Sequence, residues 1–149
     1  DGTKIMIWTK DGDKNLPAIL FFHGNRGQIA EFASQIMRFS KDGYGIFLAE
    51  YRGYGNSEGK INQDKMFSDG TEIYDWIKKR GYSKIIVIGY SFGCAASIGL
   101  SKSKKINQNY LTMNGMIRTI RAEELLMLVL KTMTIFLRDM KMIIIRHSP

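Results

Sequence analysis

The chain has 149 residues, 44% of them apolar and 24% charged, with 15 Gly and 2 Pro; this suits one packed domain and excludes a chain disordered throughout. No apolar run reaches the roughly 18 residues of a membrane-spanning helix, and one cysteine, Cys94, excludes a disulfide scaffold and cysteine-based zinc modules. The formal charge of +8 comes from 16 basic and 11 acidic groups in residues 1–105 and 6 and 3 in residues 106–149, an excess that is spread along the chain rather than striped, so nucleic acid is not an expected partner.

The chain starts at Asp1 with no initiator Met and no signal sequence, as an internal start or a processed product would; a cytoplasmic location is expected. Lys4 to Lys10 reads as a strand closed by an Asp11-Gly12-Asp13 turn, and Ala18 to Phe22 as a short, fully apolar, buried strand. After the loop His23 to Gly27, the helical spacing of Ala33, Ile36 and Met37 predicts a helix from Ile29 to Lys41, stopped at Asp42-Gly43. Ile46 to Glu50 is again strand. A Gly-rich loop from Arg52 to Gly59 precedes a helix faced by Met66, Phe67, Ile73, Tyr74 and Ile77 and ending at Gly81. Ile85 to Ile88 is the most strand-like run, and a helix follows from Cys94 to Ser103. Strands and helices that alternate in this way predict an α/β fold, a predominantly parallel sheet flanked by helices, because each parallel crossover needs about a dozen residues and a helix supplies them. The basic runs Lys78-Lys79-Arg80 and Lys102 to Lys105 fall at expected helix carboxyl ends, where cations complement the dipole.

The chemistry lies directly after the strongest strand. Gly89-Tyr90-Ser91-Phe92-Gly93 is a G-x-S-x-G sequence set between strand and helix, the context that a nucleophile elbow requires. A strand-to-helix turn this sharp leaves no room for side chains two residues before and after the serine, and Gly89 and Gly93 provide that room. The turn would present Ser91 at the carboxyl edge of the sheet and at a helix N-terminus, where backbone N–H groups can stabilise an oxyanion. A second donor is expected from the backbone near Asn25, in His23-Gly24-Asn25-Arg26-Gly27. His23 reads as structural and Arg26 as solvated. Cys94, Trp8 and Trp76 read as packing residues.

Three segments in this order, His23-Gly24-Asn25, Glu50 to Gly59 and Gly89 to Gly93, give residues 1–105 a resemblance to the α/β-hydrolase superfamily, in particular to its serine-aminopeptidase-like and abhydrolase esterase branch. The resemblance implies a serine hydrolase acting on a small-molecule ester, thioester or amide through an acyl-enzyme. Ser91 would be the nucleophile, and the N–H groups of Phe92 and Asn25 would form the oxyanion hole. It implies neither a metal nor an organic cofactor. The loop from Tyr51 to Gly59 would support the site without doing chemistry, and Ser57 would not be a nucleophile.

The later chain departs from that family. Only one of the 15 glycines but six of the nine methionines follow residue 105, and no strand carrying the acid or the histidine is recognisable. Order alone allows Asp139 as acid and His147 as base. Their spacing speaks against the pair, because a strand from Met140 to Ile145 would hold them about 26 Å apart at about 3.3 Å per residue. Residues 106–149 therefore read as an atypical tail, either the product of a reading frame disrupted near Ile106 or a short end supplying replacement helices. The alternative function is a non-catalytic or vestigial hydrolase-like protein that acts by binding. A weaker reading places the apolar stretch Leu125 to Leu137 on a membrane surface.

Overall fold

The computed structural model describes residues 1–25, 27–104, 108–113 and 116–120, the last two stretches by their backbone. Six strands form one mixed sheet: β1 (Ile7–Lys10), β2 (Ala18–Phe22), β3 (Gly45–Ala49), β4 (Ile85–Tyr90), β5 (Gln108–Met113) and β6 (Met116–Ile120), in the order β1-β3-β2-β4-β5-β6. The three central pairings, β3 with β2, β2 with β4 and β4 with β5, are parallel, and both outer pairings are antiparallel. The helices are α1 (Ile29–Ile36), α2 (Gln63–Lys79) and α3 (Gly93–Ser103).

β2 shows why the helices divide between two faces. All five of its residues are buried, and successive side chains alternate. Ala18, Leu20 and Phe22 point to a core shared with Met66, Ile73, Tyr74 and Ile77 of α2 and with Ala96 and Leu100 of α3. Ile19 and Phe21 point to the opposite core, with Ile29 of α1 and Phe39. The chain runs from β2 through α1 to β3, then through α2 back across β2 to β4. Because α1 and α3 leave the sheet on opposite faces, the loops after β2 and β4 diverge and open a crevice at the carboxyl ends of the strands.

Several boundaries move. The expected Lys4 to Lys10 strand begins only at Ile7, because the preceding backbone bonds to the Gly-rich loop: Met6 N–H donates to Ser57 Oγ at 2.9 Å and Glu58 N–H to Lys4 O at 2.9 Å. The expected Ile29 to Lys41 helix is α-helical only to Ile36 and continues as a 3-10 helix over Met37–Asp42, ended by Gly43 at φ 87°. α2 is capped by Asn62, whose side chain accepts the Lys65 N–H at 2.8 Å, and has Asp64 in its first turn. β5 and β6 extend the sheet beyond residue 105, with β5 parallel to β4 from Ile86↔Gln108 to Tyr90↔Thr112. Sequence pattern missed both strands because Gln108-Asn109 and Arg118-Thr119 interrupt any apolar run. Among the described residues, no helix is long and apolar enough to cross a membrane.

The charge, even along the sequence, is uneven in space. The described helices run from the carboxyl edge of the sheet to its amino edge, so the basic last turns of α2 and α3 lie at one end. α2 brings Lys78 and Lys79, with Arg80 next to them, and α3 brings Lys102 and Lys104. Arg38 and Lys41 lie in the 3-10 segment, and Lys10, Lys14 and Lys84 lie in or beside the turns at that edge. Against these ten cations stand Asp11, Asp13, Asp42 and Asp75. At the other edge, four described basic residues face seven acidic ones.

Candidate active site

Ser91 stands at the carboxyl end of β4, directly before α3, with φ 51°. Among the described residues it alone combines a side chain with positive φ, a conformation that costs an L-residue about 1–2 kcal/mol. The neighbouring packing enforces it. A Cβ on Gly89 would lie 2.4 Å from Gly93 O, and one on Gly93 would lie 2.1 Å from Phe22 O and 2.9 Å from His23 O. The α3 N-terminus thus presses against the end of β2 with no gap that a methyl group could enter. Two bonds close the turn, Cys94 N–H to Ser91 O and Ala95 N–H to Phe92 O, both 3.0 Å. Cys94 is buried, with its Sγ 3.3 Å from Gly89 O.

The loop after β2 lies alongside. A Cβ on Gly24 would be 3.4 Å from Ser91 Cβ and 3.1 Å from the Tyr90 ring, so glycine lets the loop backbone pass close to the serine. Gly27 N–H donates to Gly24 O at 3.2 Å, which folds the loop into a turn. Neither the Asn25 nor the Phe92 amide donates a hydrogen bond among the described residues. Phe92 follows Ser91 in the chain, and Asn25 follows Gly24, the residue that passes Ser91.

A buried network holds this loop, and the sequence reading named its members without pairing them. His23 and Glu50 are almost fully buried, and His23 Nε2 is 2.9 Å from Glu50 Oε2. Glu50 Oε1 accepts the Ile29 N–H at 2.9 Å, capping α1 in place of a local side chain. His23 Nδ1 lies 2.8 Å from Gly24 O, and the Tyr51 hydroxyl donates to His23 O at 2.8 Å. Burial pushes the Tyr51 phenol well above its usual range, which keeps it a donor. Both ring nitrogens of His23 face oxygen acceptors, so Nδ1 donates to Gly24 O and one proton lies between Nε2 and Glu50. No ring nitrogen is left to take a proton from Ser91. His23 is structural, as expected. Outside the loop, the Tyr54 hydroxyl bonds Asn25 Oδ1.

The Glu50 to Gly59 segment is tied down at several points. Arg52 grips Asp69 of α2 with two bonds of 2.7 Å, and Ser57 Oγ is committed to Met6 N–H. Ser57 is thus a structural residue, as its lack of a following helix implies. Beside Phe92 opens a mostly apolar cleft of about 530 Å³, lined by Ile61, Met66, Phe67, Phe92, Ala95 and Ile98, with Asn62 and Gln63 as its polar residues. Trp8 and Trp76 depart from the expected packing role, since they stay 42% and 39% exposed. Trp76 does meet Phe47 edge-on and carries Arg80 over its ring. Asp139, His147 and Arg26 lie outside the described residues, as does the whole stretch Leu125 to Leu137. Among the described residues, no group of three or more His, Cys, Asp or Glu side chains could hold a metal ion.

Comparison with known proteins agrees with this fold. Residues 17–98 match the family model of the alpha/beta hydrolase fold. Lysophosphatidylserine lipase ABHD12 of Danio rerio is 33% identical over 96 residues, covering 62% of this chain and 25% of the lipase. The alpha/beta hydrolase domain-containing protein WAV2 of Arabidopsis thaliana is 35% identical over 91 residues, covering 58% of this chain and 30% of that protein. The chain thus spans about a quarter to a third of these relatives. Among solved structures, Est1E from Butyrivibrio proteoclasticus, with ferulic acid bound, superposes with a TM-score of 0.62 at 20% identity, over 71% of this chain and 47% of that one.

Proposed function

Since this chain belongs to the alpha/beta hydrolase fold family, we propose that it is a serine hydrolase core in which Ser91 attacks an acyl carbonyl. The observation that carries this reading is Ser91 held at φ 51° between Gly89 and Gly93, at a helix N-terminus and against Gly24. In the first step Ser91 Oγ bonds the carbonyl carbon while its proton passes to a base. The carbonyl oxygen, now an oxyanion, accepts hydrogen bonds from the Phe92 and Asn25 amides. Collapse of the adduct expels the alcohol, thiol or amine, which takes up the proton. Water then attacks the acyl-serine by the reverse roles, releasing the acid and restoring the hydroxyl.

Carboxylic esters are the favoured substrates. One of the relatives carries the name lysophosphatidylserine lipase, and the cleft beginning at Phe92 has a mostly apolar lining that an acyl chain would match. Asp139 and His147 are the acid and base that chain order offers. Residues 106–149 are proposed as an atypical end of the hydrolase chain, of which β5 and β6 still extend the core sheet. The second reading, a hydrolase-like protein that binds without catalysis, draws on one observation: the ring of His23, the one histidine among the described residues, is fully engaged by Glu50 and Gly24.

A fluorophosphonate probe separates the two readings, because it labels an activated serine and spares an unassisted one. Labelling of the purified chain that disappears in Ser91→Ala supports the hydrolase, and further loss in His147→Ala assigns the base. Labelling that persists in Ser91→Ala removes Ser91 from the mechanism. An unlabelled, folded chain selects the binding reading.

A further inference from the structure

The two amides that would hold the oxyanion come from different loops, and a third loop touches both. Phe92 is the N-cap of α3, and Asn25 lies in the turn after β2. Tyr51 and Tyr54 belong to the segment that follows β3. The Tyr51 ring meets Phe92 edge-on with centroids 5.4 Å apart, and its hydroxyl donates to His23 O at 2.8 Å. The Tyr54 hydroxyl donates to Asn25 Oδ1. Asn25 is exposed, and among the described residues its side chain makes this hydrogen bond alone.

Tyr54 itself is firmly placed. It stands between Gly53 at φ 75° and Gly55 at φ 53°, a pair of left-handed residues that curls the backbone tightly. In that turn Tyr54 N–H donates to Tyr51 O at 3.1 Å, and Tyr54 O accepts the Ser57 N–H at 2.9 Å. The Tyr54 ring is tilted against the His23 ring and edge-on to the Tyr51 ring, with both centroids 5.6 Å away. His23 is locked in turn by Glu50 and Gly24 O. Ring packing therefore fixes the hydroxyl before it bonds Asn25, so the bond costs little further ordering. The residue before Asn25 is Gly24, which passes Ser91, and donors aimed at a reacting group must be held within about 0.5 Å. We propose that Tyr54 is a positioning residue of the oxyanion hole: through Asn25 Oδ1 it holds the Asn25 backbone N–H at the spacing from the Phe92 N–H that the oxyanion requires. Tyr54 acts through Asn25 and does not touch the substrate. The inference rests on the reading of Ser91 as the nucleophile of a serine hydrolase.

Saturation kinetics of fluorophosphonate labelling test it, because the phosphoryl oxygen of the probe takes the place of the oxyanion. Tyr54→Phe keeps the ring and removes the hydroxyl, whereas Asn25→Ala keeps the backbone N–H and removes the acceptor. Each should slow the limiting labelling rate about tenfold, less than the roughly hundredfold or greater loss that follows removal of a whole donor. The half-saturating probe concentration should change by less than about twofold. The double variant should also be slowed about tenfold, because both changes break the same bond. A Tyr54→Phe protein labelled at the wild-type rate would overturn the proposal. So would a double variant in which the two losses multiply, since a hydroxyl that meets the probe directly would behave in that way. A slowing accompanied by a fall of more than about 1 M in the urea midpoint would trace the effect to general loosening and overturn it as well. A wild-type chain that takes up no label sinks the hydrolase reading and this proposal with it, whereas a labelled wild type with an indifferent Tyr54→Phe sinks this proposal alone.

Discussion

Replacing Gly93 with alanine asks for a methyl group where backbone already stands. Its Cβ would lie 2.1 Å from Phe22 O, 2.6 Å from Phe22 C and 2.9 Å from His23 O. Ordinary contact begins near 3.4 Å, so the α3 N-terminus and the end of β2 must separate by about 1.3 Å. β2 cannot easily yield, because Phe22 is paired on both sides, with Ala49 and with Gly89. The displacement therefore falls on α3 and on Ser91. Overpacking costs about 1–3 kcal/mol, and because the atoms met are backbone rather than a flexible side chain, this case lies at the upper end. Alanine returns up to about 1 kcal/mol of helix propensity, which leaves a net loss of about 2 kcal/mol. With a urea slope of about 1–3 kcal/mol per molar, the unfolding midpoint should fall by about 1 M. Fluorophosphonate labelling should slow by about a hundredfold, the effect of a 1 Å misplacement. The comparison variant is Gly70→Ala in α2, whose Cβ would meet the side chain of Phe22, rather than its backbone, at an ordinary 3.4 Å. It should be neutral or up to about 1 kcal/mol more stable. A Gly93→Ala protein with the wild-type midpoint and labelling rate would refute the account of how the turn is held.

At Ser91, the Gly variant should be about 1 kcal/mol more stable than the Ala variant, because only glycine adopts φ 51° without strain; a reversed order in urea titrations would show that the turn is not strained. Glu50→Ala leaves His23 without its partner and Ile29 N–H without a cap, and should cost about 3–5 kcal/mol by the same measurement. A loss below about 1 kcal/mol would mean that the buried pair does not hold the loop. Tyr82→Phe strips the acceptor from the Gly12 N–H at the opposite edge and should lower stability by about 1–3 kcal/mol while leaving Ser91 labelling unchanged. Thermal melts and the labelling rate check both halves of that statement.

The sequence was most informative where the physics is local. Ala18 to Phe22 is apolar at every position, and a strand buried on both faces has no position to spare for a polar side chain. Gly89 and Gly93 flank Ser91 because the turn tolerates nothing larger, so the pentapeptide could be read before any coordinates. β5 and β6 escaped notice because their mixed polar and apolar residues gain strand structure from the ladders beside them rather than from their own pattern. The pairing of His23 with Glu50 was equally hidden. Twenty-seven residues separate them, and a buried hydrogen bond between loops leaves no periodic mark in a sequence. Charge shows the same division. Composition counts the cations, and helix-end preference explains why each stands where it does. Only the tertiary structure, which runs the helices in one direction against the sheet, brings the basic ends of the 3-10 segment, α2 and α3 to the edge away from Ser91.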